Sequence, residues 1–199
     1  MRLSVSTGLP GVEMHVGDHI CAFYRGDDQR DQILFPYLRA GLEAGDRCVC
    51  VLDRGDPEHA KMIVGEARRV RGQLSVLRSE DSYLFGGFFC PDQMLSFWAE
   101  AARAAFDDDG YEFMRAAGEM TWALKDLPGV ELLVAYEAEL NRFLPKYPQT
   151  ILCLYDLEQF TDGQVLIDIL HTHPKVLMSG MVVDNPWYVE PDQFLARSS

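Results

Sequence analysis

Short apolar runs alternate with segments of helical periodicity along this chain, and the alternation limits it to a small group of folds. The runs HICAFY (His19–Tyr24) and RCVCVL (Arg47–Leu52) flank residues 33–43, where apolar side chains recur at helical spacing. The run TILCLY at residues 150–155 is apolar almost throughout, which is typical of a strand buried on both faces. Repeated strand and helix units favour parallel pairing through right-handed crossovers. We therefore predict an α/β fold with a mostly parallel central sheet and helices on both faces.

The same patterns assign the remaining segments. Strands are predicted at residues 73–77, 111–115 and 175–183, and helices at residues 91–106, 130–143 and 163–171. A further helix is expected to be capped by residues 53–57 and to run to about residue 70. The polar segment RGDDQR, residues 25–30, is predicted to be a loop. The segment SEDSYLFGGFFC, residues 79–90, is rich in glycine and aromatic residues and is predicted to be a loop that lines a cavity.

Length and composition bound the number of domains. The chain has 199 residues, 48% of them hydrophobic, which is enough to bury one sizeable core. Residues 1–17 are polar and glycine-rich and are predicted to form a loose leader before a single domain at residues 18–199. No apolar stretch reaches the roughly 20 residues that cross a bilayer, and the N-terminus lacks the apolar region of a signal peptide. We expect a soluble, cytoplasmic protein without membrane contact.

Charge and cysteine usage bear on partners and compartment. A surface with a net charge of −13 repels a phosphate backbone, so we expect no contact with nucleic acid and favour a basic protein partner. The five cysteines are odd in number and form no C-x-x-C pair, which fits reduced thiols better than disulfides or a zinc ribbon. Four of them fall on predicted strands and are expected to be structural: Cys21, Cys48, Cys50 and Cys153.

The polar segment after the first strand stands where a nucleotide-binding fold has its phosphate loop. The stretch PYLRAGLEAGDRCVCVL resembles the helix, glycine turn and second strand of KaiC-like ATPases. Aligning these segments puts residues 27–31, DDQRD, where Gly-Ser-Gly-Lys-Thr would stand. Carboxylates there repel a triphosphate, and without the glycines the backbone cannot approach the phosphates closely. We therefore expect a RecA/KaiC-like fold with an eroded P-loop that does not hydrolyse ATP.

Further motifs resemble one sensory family in their order and spacing. They are GDHICAFY, PYLRAGLEAGDRC, SYLFGGFFCPDQML, RAAGEMTWAL, YEAELN, ILCLYD, HTHP and NPWYVEPDQFL. Over residues 19–195 they resemble the MEDS domain, a sensory module of methanogens, methylotrophs and a dichloromethane-responsive regulator. The resemblance implies a degenerate relative of the RecA/KaiC fold that recognises small hydrocarbon-derived compounds and is usually joined to an output module. No DNA-binding or kinase module is recognised in these 199 residues. We therefore expect a sensor acting on a partner protein, or a fragment of a longer regulator.

The segment RAAGEMTW is the first choice for a binding site, because it follows the strand predicted at residues 111–115. In open α/β sheets, ligands bind beyond the carboxyl ends of the strands, where Arg115, Glu119 and Trp122 are then expected. The alternative is an ion pair between Arg115 and Glu119, with Trp122 filling the core.

Two further segments supply candidate ligand contacts. Tyr136, Glu137 and Asn141 share one face of a predicted helix, where they line the same crevice or form a solvated stripe. The aromatic residues around Gly86 and Gly87 form either an apolar wall for a small organic ligand or a loop packed on the core. The predicted ligand-binding set is His19, Tyr24, Tyr83, Phe88, Arg115, Glu119, Trp122, Tyr136, Glu137 and Asn141.

Histidine and cysteine positions raise the question of a metal site. His19 and Cys21 alternate along the first strand, and His171 and His173 lie at the end of a late helix, which suggests imidazole and thiolate ligands. No Cys pair or Glu/His helical pair accompanies them, and a buried cysteine most often behaves as a small hydrophobic residue. His19 is then left to hydrogen-bond within the sheet or to contact ligand. We expect no metal, no other cofactor and no catalytic residue.

Together these features favour a non-catalytic sensory domain that binds a small, largely apolar organic ligand and signals to a regulatory protein partner, with homodimerisation left open. One alternative is a ligand-free regulator of a sigma factor or a kinase. The other is an enzyme that uses Cys90, which lies beside a helix start where thiol pKa values fall, or the carboxylates of Glu119 and Glu137.

Overall fold

A computed structural model describes residues 4–10, 13–65 and 72–197. An N-terminal hairpin is formed by β1 (Ser4–Ser6) and β2 (Glu13–His15). The strands of the main sheet are β3 (His19–Tyr24), β4 (Arg47–Leu52), β5 (Leu74–Arg78), β6 (Met114–Glu119), β7 (Gln149–Asp156), β8 (Lys175–Met178) and β9 (Met181–Asp184). Across the sheet their order is β5-β4-β6-β7-β3-β8-β9. All neighbouring pairs are parallel except β8 with β9, so the predicted, mostly parallel sheet is confirmed.

Helices cover this sheet on both faces, as predicted. They are α1 (Gly26–Ala44), α2 (Pro57–Val64), α3 (Pro91–Arg103), α4 (Leu133–Phe143), α5 (Gly163–Thr172) and α6 (Pro191–Arg197). Successive side chains of a strand point to opposite faces. Ile20 of β3 therefore packs in one buried cluster with Leu34 of α1, whereas Cys21 belongs to another that includes Trp98 of α3 and Leu140 of α4. None of the helices in the described residues combines the length and apolar character that crossing a membrane requires.

The N-terminal hairpin packs on the α1 side of the sheet. Val5 and Met14 point inward from its two strands and are buried in the same cluster as α1. Gly8 has a positive φ of 75°, and a Cβ there would collide with the backbone carbonyl of Pro36 in α1. The described part of residues 1–17 is thus packed against the domain, while a domain boundary at residue 17 stays a prediction.

The loop predicted at residues 25–30 is wrong, because α1 already begins at Gly26. Asp27 and Asp28 lie in its first turn, where carboxylates interact favourably with the positive end of the helix dipole. The side chain of Gln29 accepts a hydrogen bond from the backbone N–H of Arg25 (2.7 Å). The polar residues therefore stabilise the first turn of α1. Apolar periodicity could not predict this turn, because it contains no apolar residues.

Two predicted strands have different boundaries in the structure. Residues 175–183 form two antiparallel strands, β8 and β9, joined by Ser179 and Gly180 at φ values of 53° and 76°. The strand predicted at residues 111–115 lies instead at β6, so that RAAGE is the strand itself and not the segment after it. The helix expected to run to about residue 70 is described only as α2, and residues 66–70 lie outside the described residues.

Candidate functional site

At the carboxyl edge of the sheet, the buried carboxylate of Glu119 is surrounded by donors from its own chain. It ends β6 and accepts hydrogen bonds from the backbone N–H groups of Asp53 (2.9 Å) and Arg54 (2.8 Å). The hydroxyl of Tyr24 (3.1 Å), the guanidinium of Arg30 (3.1 Å) and the side chain of Arg54 (3.3 Å) complete the set. Burial, followed by the charge of Glu119, raises the pKa of Tyr24, so its hydroxyl remains a donor. The carboxylate therefore has no need of a ligand.

This arrangement extends along the edge and forms what we call the carboxyl-edge network, made of Tyr24, Arg30, Arg54, Glu119 and Asp156. Arg54 also donates to Asp156 at the end of β7 (2.7 Å). Arg30 pairs with Asp27 (3.2 Å) and Asp31 (2.9 Å) of α1. In phosphate-binding folds of this type, helix N-terminal amides and a lysine at this edge hold the anion. Here ion pairs within the chain occupy the same place.

Arg115 does not join Glu119, contrary to the prediction that both line one crevice. The two residues lie on the same face of β6 but at opposite ends, about 13 Å apart at the rise of a strand. Arg115 is fully buried and its Nε donates to Asp46 (2.8 Å), while Nη1 donates to the carbonyl of Ser6 in the N-terminal hairpin (2.6 Å). The expected pairing fails because β6 begins three residues later than predicted, which moves Arg115 to the amino end of the strand.

The predicted aromatic residues separate into buried and exposed groups. Tyr83 stacks on Trp122 with ring centroids 4.6 Å apart, Phe89 lies 4.4 Å from Trp122, and Tyr136 meets both Tyr83 and Phe89 edge-on. The indole of Trp98 donates to the hydroxyl of Tyr136 (2.8 Å). These five residues are called the aromatic group below. They are in direct contact, so the loop packs on the core at these positions.

Outside the aromatic group, Phe85 and Phe88 of the same loop are exposed, with 68% and 38% of their surface accessible. The loop turns between them at Gly86 and Gly87, both of which have a positive φ. A cleft of about 1290 Å³ lies elsewhere, at the amino edge of the sheet, where its lining includes Phe113. Of the aromatic residues predicted to form an apolar wall, Tyr83 and Phe89 are therefore part of the core, whereas Phe85 and Phe88 lie on the surface.

Beneath α4, the structure gathers four buried side chains from separate parts of the chain. His19 begins β3, Cys153 lies within β7, Glu137 projects from α4, and His173 follows the end of α5. The Oε2 atom of Glu137 lies 3.0 Å from Nε2 of His19, 3.4 Å from Nε2 of His173 and 3.6 Å from Sγ of Cys153. Cys153 Sγ is 3.5 Å from Nε2 of His19. We call these four residues the His–Glu–Cys cluster.

Neighbouring groups fix how the imidazoles of this cluster point. Asn141 donates through Nδ2 to the carbonyls of Glu137 (3.2 Å) and Thr172 (2.7 Å), which identifies its Oδ1 as the acceptor 3.0 Å from Nδ1 of His19. Nδ1 of His173 lies 2.7 Å from the carbonyl oxygen of Ile169. Each imidazole therefore carries a proton on Nδ1 and turns Nε2 toward Glu137.

Burial and hydrogen bonds within the cluster together set its ionisation. Burial opposes the charge of Glu137, but hydrogen bonds with the imidazoles of His173 and His19 outweigh it and hold the pKa of Glu137 below its usual value. Burial lowers the pKa of His19, with a further contribution from the charge of His173, and so favours the neutral imidazole. Burial also raises the pKa of Cys153 well above the usual thiol value, and the nearby charge of Glu137 adds to the effect. The hydroxyl of Tyr155 donates to the other oxygen of Glu137 (2.8 Å). The cluster is a closed, water-excluded set of nitrogen, sulfur and oxygen atoms.

The structure thus divides the ten predicted ligand-binding residues among several places. Tyr24 and Glu119 lie in the carboxyl-edge network, Tyr83, Trp122 and Tyr136 in the aromatic group, and His19, Glu137 and Asn141 in or beside the His–Glu–Cys cluster; Phe88 is exposed and Arg115 lies at the amino edge. Helical spacing linked Tyr136, Glu137 and Asn141, yet Tyr136 faces a different cluster.

The sequence predicts only part of the His–Glu–Cys cluster, because His19 and His173 are metal-site candidates while Cys153 is expected to be structural. Cys153 and His173 contact His19 and Glu137, whereas Cys21 donates to the carbonyl of Lys175 (3.7 Å) and His171 lies 4.0 Å from Asp168. The motifs ILCLYD and HTHP contain Cys153 and His173, but the sequence does not show which residues these side chains contact. No sequence pattern predicts a role for Arg54, because it lies in a polar turn.

Comparisons with known proteins agree with this architecture. Residues 18–174 match the family model described as MEDS, the MEthanogen/methylotroph, DcmR Sensory domain. The chain is 28% identical over 179 residues to the transcriptional repressor DcmR of Methylorubrum extorquens, an alignment that covers 87% of this chain and 64% of the repressor. The chain therefore spans slightly less than two thirds of that relative's length. A KaiC-like protein of Pyrococcus horikoshii superposes with a TM-score of 0.61 at 14% identity, covering 87% of this chain and 78% of that one, which shows the shared fold alone.

Proposed function

Because the chain belongs to the MEDS family of sensory domains, we propose that it is a signal-input domain that binds a small, largely apolar organic molecule and signals to a regulatory protein. The observation that carries the proposal is the carboxyl-edge network. An ATPase of this fold would need phosphate-binding groups where Glu119 is saturated by its own chain's donors. The scaffold is therefore put to another use than nucleotide hydrolysis.

We place the proposed ligand against the aromatic group, beneath the loop at residues 79–90. The rings supply an apolar surface, and the buried indole N–H of Trp122 has no hydrogen-bond partner among the described residues. One unused donor in an apolar setting suits a small molecule with a single acceptor atom. Entry requires the loop to lift, and the positive φ values of Gly86 and Gly87 mark its turn.

A ligand-free regulator remains the second candidate, and direct ring contact within the aromatic group favours it. In that case the acidic surface alone would contact a basic partner. The enzyme alternative has less support, because the sheet separates the carboxylate of Glu119 on the α1 side from that of Glu137 on the α4 side. Cys90 lies half-buried at the start of α3 and belongs to none of the three groups of residues described above.

We propose that the domain signals by contacting another protein in the cytoplasm. A second copy of the same chain is one such partner. The relative DcmR is a transcriptional repressor by name. For this chain, the net charge of −13 opposes direct contact with DNA and favours a partner that carries the DNA-binding or kinase function.

A ligand screen tests the proposal. Native mass spectrometry and thermal shift with chloromethanes, short alcohols and small ketones should identify a retained or stabilising molecule. Trp122→Phe keeps an aromatic ring but removes the donor, so affinity should fall about 10-fold. Phe85→Leu changes an exposed ring and serves as the control with unchanged affinity.

Other outcomes of the same screen discriminate the alternatives. Binding that survives Trp122→Phe but is lost on replacing Phe113 would move the site to the amino-edge cleft. Copurification of a basic regulator with a domain that binds no small molecule would support the ligand-free candidate. Magnesium-dependent ATP hydrolysis that Arg30→Ala abolishes would overturn the proposal.

A further inference from the structure

The His–Glu–Cys cluster brings four potential metal-ligating atoms to one point inside the protein. Nε2 of His19, a carboxylate oxygen of Glu137, Sγ of Cys153 and Nε2 of His173 all lie within 4.8 Å of one another. All four side chains are buried. We propose that these residues form a structural binding site for a single divalent zinc-type ion.

The spacing of the atoms matches tetrahedral coordination. With Zn–N and Zn–O bonds near 2.0 Å and a Zn–S bond near 2.3 Å, tetrahedral angles separate pairs of ligand atoms by about 3.3–3.6 Å. The four separations given above run from 3.0 to 3.6 Å, and both contacts of Cys153 Sγ, at 3.5 and 3.6 Å, fall where a sulfur ligand is expected. A central ion would hold these four pairs of atoms close to their present distances, while the two remaining pairs, His173 with His19 and His173 with Cys153, lie within 4.8 Å.

The hydrogen-bond directions around the cluster also fit a metal. Histidine ligands usually donate their second ring N–H to a carbonyl or a carboxylate, which turns the other nitrogen's lone pair toward the ion. His19 does so to Asn141 and His173 to the carbonyl of Ile169. Tyr155 in turn donates to the oxygen of Glu137 that faces away from the imidazoles. This is the outer shell that a metal site requires.

Without an ion, one nitrogen atom of the cluster has no hydrogen-bond partner among the described residues. Nε2 of His173 is buried without a hydrogen-bond partner in the described residues, and its neighbour at 3.4 Å is Oε2 of Glu137, itself an acceptor. Acceptors that converge in a buried space repel one another unless a proton or a cation lies between them. Two imidazoles, one thiolate and one carboxylate form a ligand set that suits Zn²⁺, and binding would release the Cys153 proton.

The ion would join elements that are distant in sequence. It would link β3, β7, α4 and the end of α5, and two of the residues concerned, His19 and Cys153, are separated by 134 positions. Because the ligands are fully buried and leave no open position, the role we assign is structural and not catalytic.

Metal analysis of the full chain, purified without chelator, tests the site directly. We expect close to one zinc per chain by mass spectrometry of the metal content. Substitution with Co²⁺ should give the intense d–d absorption of a tetrahedral site, together with a thiolate-to-cobalt charge-transfer band. Protein that takes up neither ion, either as purified or after refolding with excess zinc, would overturn the proposal and leave a protonated histidine–carboxylate network in its place.

Matched variants separate ligands from neighbouring residues of the same type. Cys153→Ser should remove the charge-transfer band and His173→Ala should lower zinc content, whereas Cys21→Ser and His171→Gln should keep both signals. Asn141→Ala should weaken zinc binding by about 10–100-fold, because it orients His19 without touching the ion. Should a ligand variant fail to fold, the cobalt spectrum of the unaltered chain still decides. Equal zinc content in the Cys153 and Cys21 variants would also refute the assignment.

Discussion

Glu119 and Glu137 are both fully buried glutamates, but they lie on opposite faces of the sheet and have opposite surroundings. Glu119 accepts from two backbone amides, two arginines and a tyrosine. Glu137 accepts from the hydroxyl of Tyr155 and from the thiol of Cys153, and its Oε2 also faces two imidazole nitrogens. A buried charge is tolerated when it has enough hydrogen-bond donors and opposite charges around it. Donors of the same chain are sufficient for Glu119, whereas at Glu137 we propose a bound ion.

The comparison also shows how one scaffold treats its two faces. The carboxyl-edge network lies at the carboxyl edge of the sheet, and its charges neutralise one another. The His–Glu–Cys cluster lies under α4, away from that edge, and its buried carboxylate faces two imidazole nitrogens and a thiol. The carboxyl-edge network and the potential ion site are thus separate features of this protein.

The largest expected effect comes from removing the charge of Glu119. Glu119→Gln should lower the free energy of unfolding by about 3–5 kcal/mol, because Arg30 and Arg54 both lose a buried charged partner while Arg54 keeps Asp156. Urea denaturation measures the change. Asp28→Asn alters an exposed carboxylate one turn into α1 and should stay within about 0.5 kcal/mol of the unaltered protein. Equal effects of both substitutions would show that the network does not stabilise the fold.

A smaller effect is expected at Asp156. Burial opposes its ionisation, but the backbone N–H groups of Glu158 and Gly26 and the guanidinium of Arg54 outweigh this and hold its pKa below the usual value. Its stabilising contribution is therefore present above the unfolded-state pKa of about 4 and is lost as the pH falls through the lower folded-state value. Asp156→Asn should cost about 1.5–3 kcal/mol at neutral pH and flatten this part of the acid titration. An unchanged acid profile in the variant would assign the sensitivity to other carboxylates.

The smallest effect should come from Glu137→Gln, provided that a chelator is present in excess. The new amide N–H₂ can donate to the imidazole nitrogens that the carboxylate repels, so the free energy of unfolding should change by less than about 1 kcal/mol. Without chelator and with zinc bound, the same substitution should destabilise the protein markedly. If Glu137→Gln in excess chelator loses as much stability as Glu119→Gln does, Glu137 is paired with a protonated histidine. Both glutamates would then be stabilised by charges of their own chain.

Local patterns predicted the layers of the fold but not the ends of all its strands. The run TILCLY lies within β7, whose residues are all buried, and the alternation of apolar and helical segments gave the sheet and its two helical layers. For β6 the pattern misled, because RAAGE contains a charge at each end that tertiary pairing buries. Asp46, the partner of Arg115, is 69 positions away, and no periodicity reports such a contact.

The candidate sites were predicted residue by residue, but not in their groupings. Glu137 and Asn141 are predicted together on one helix face and meet His19, which is predicted separately, whereas Arg115 and Glu119 are predicted together and do not meet. A His–Glu pair separated by 118 positions forms only after β3, β7 and α4 are assembled. Residue types thus indicated which side chains carry chemistry, while their partners depended on strand order.

Tyr136 and Glu137 are consecutive residues of α4, the first in the aromatic group and the second in the His–Glu–Cys cluster. With both sites occupied as proposed, a molecule that displaces the ring of Tyr136 by turning this part of α4 also moves the carboxylate of Glu137. Reciprocity then requires that each occupant change the affinity of the other by the same factor, typically about 5–150-fold. The affinity of such a domain for its organic ligand would then depend on whether the ion is bound.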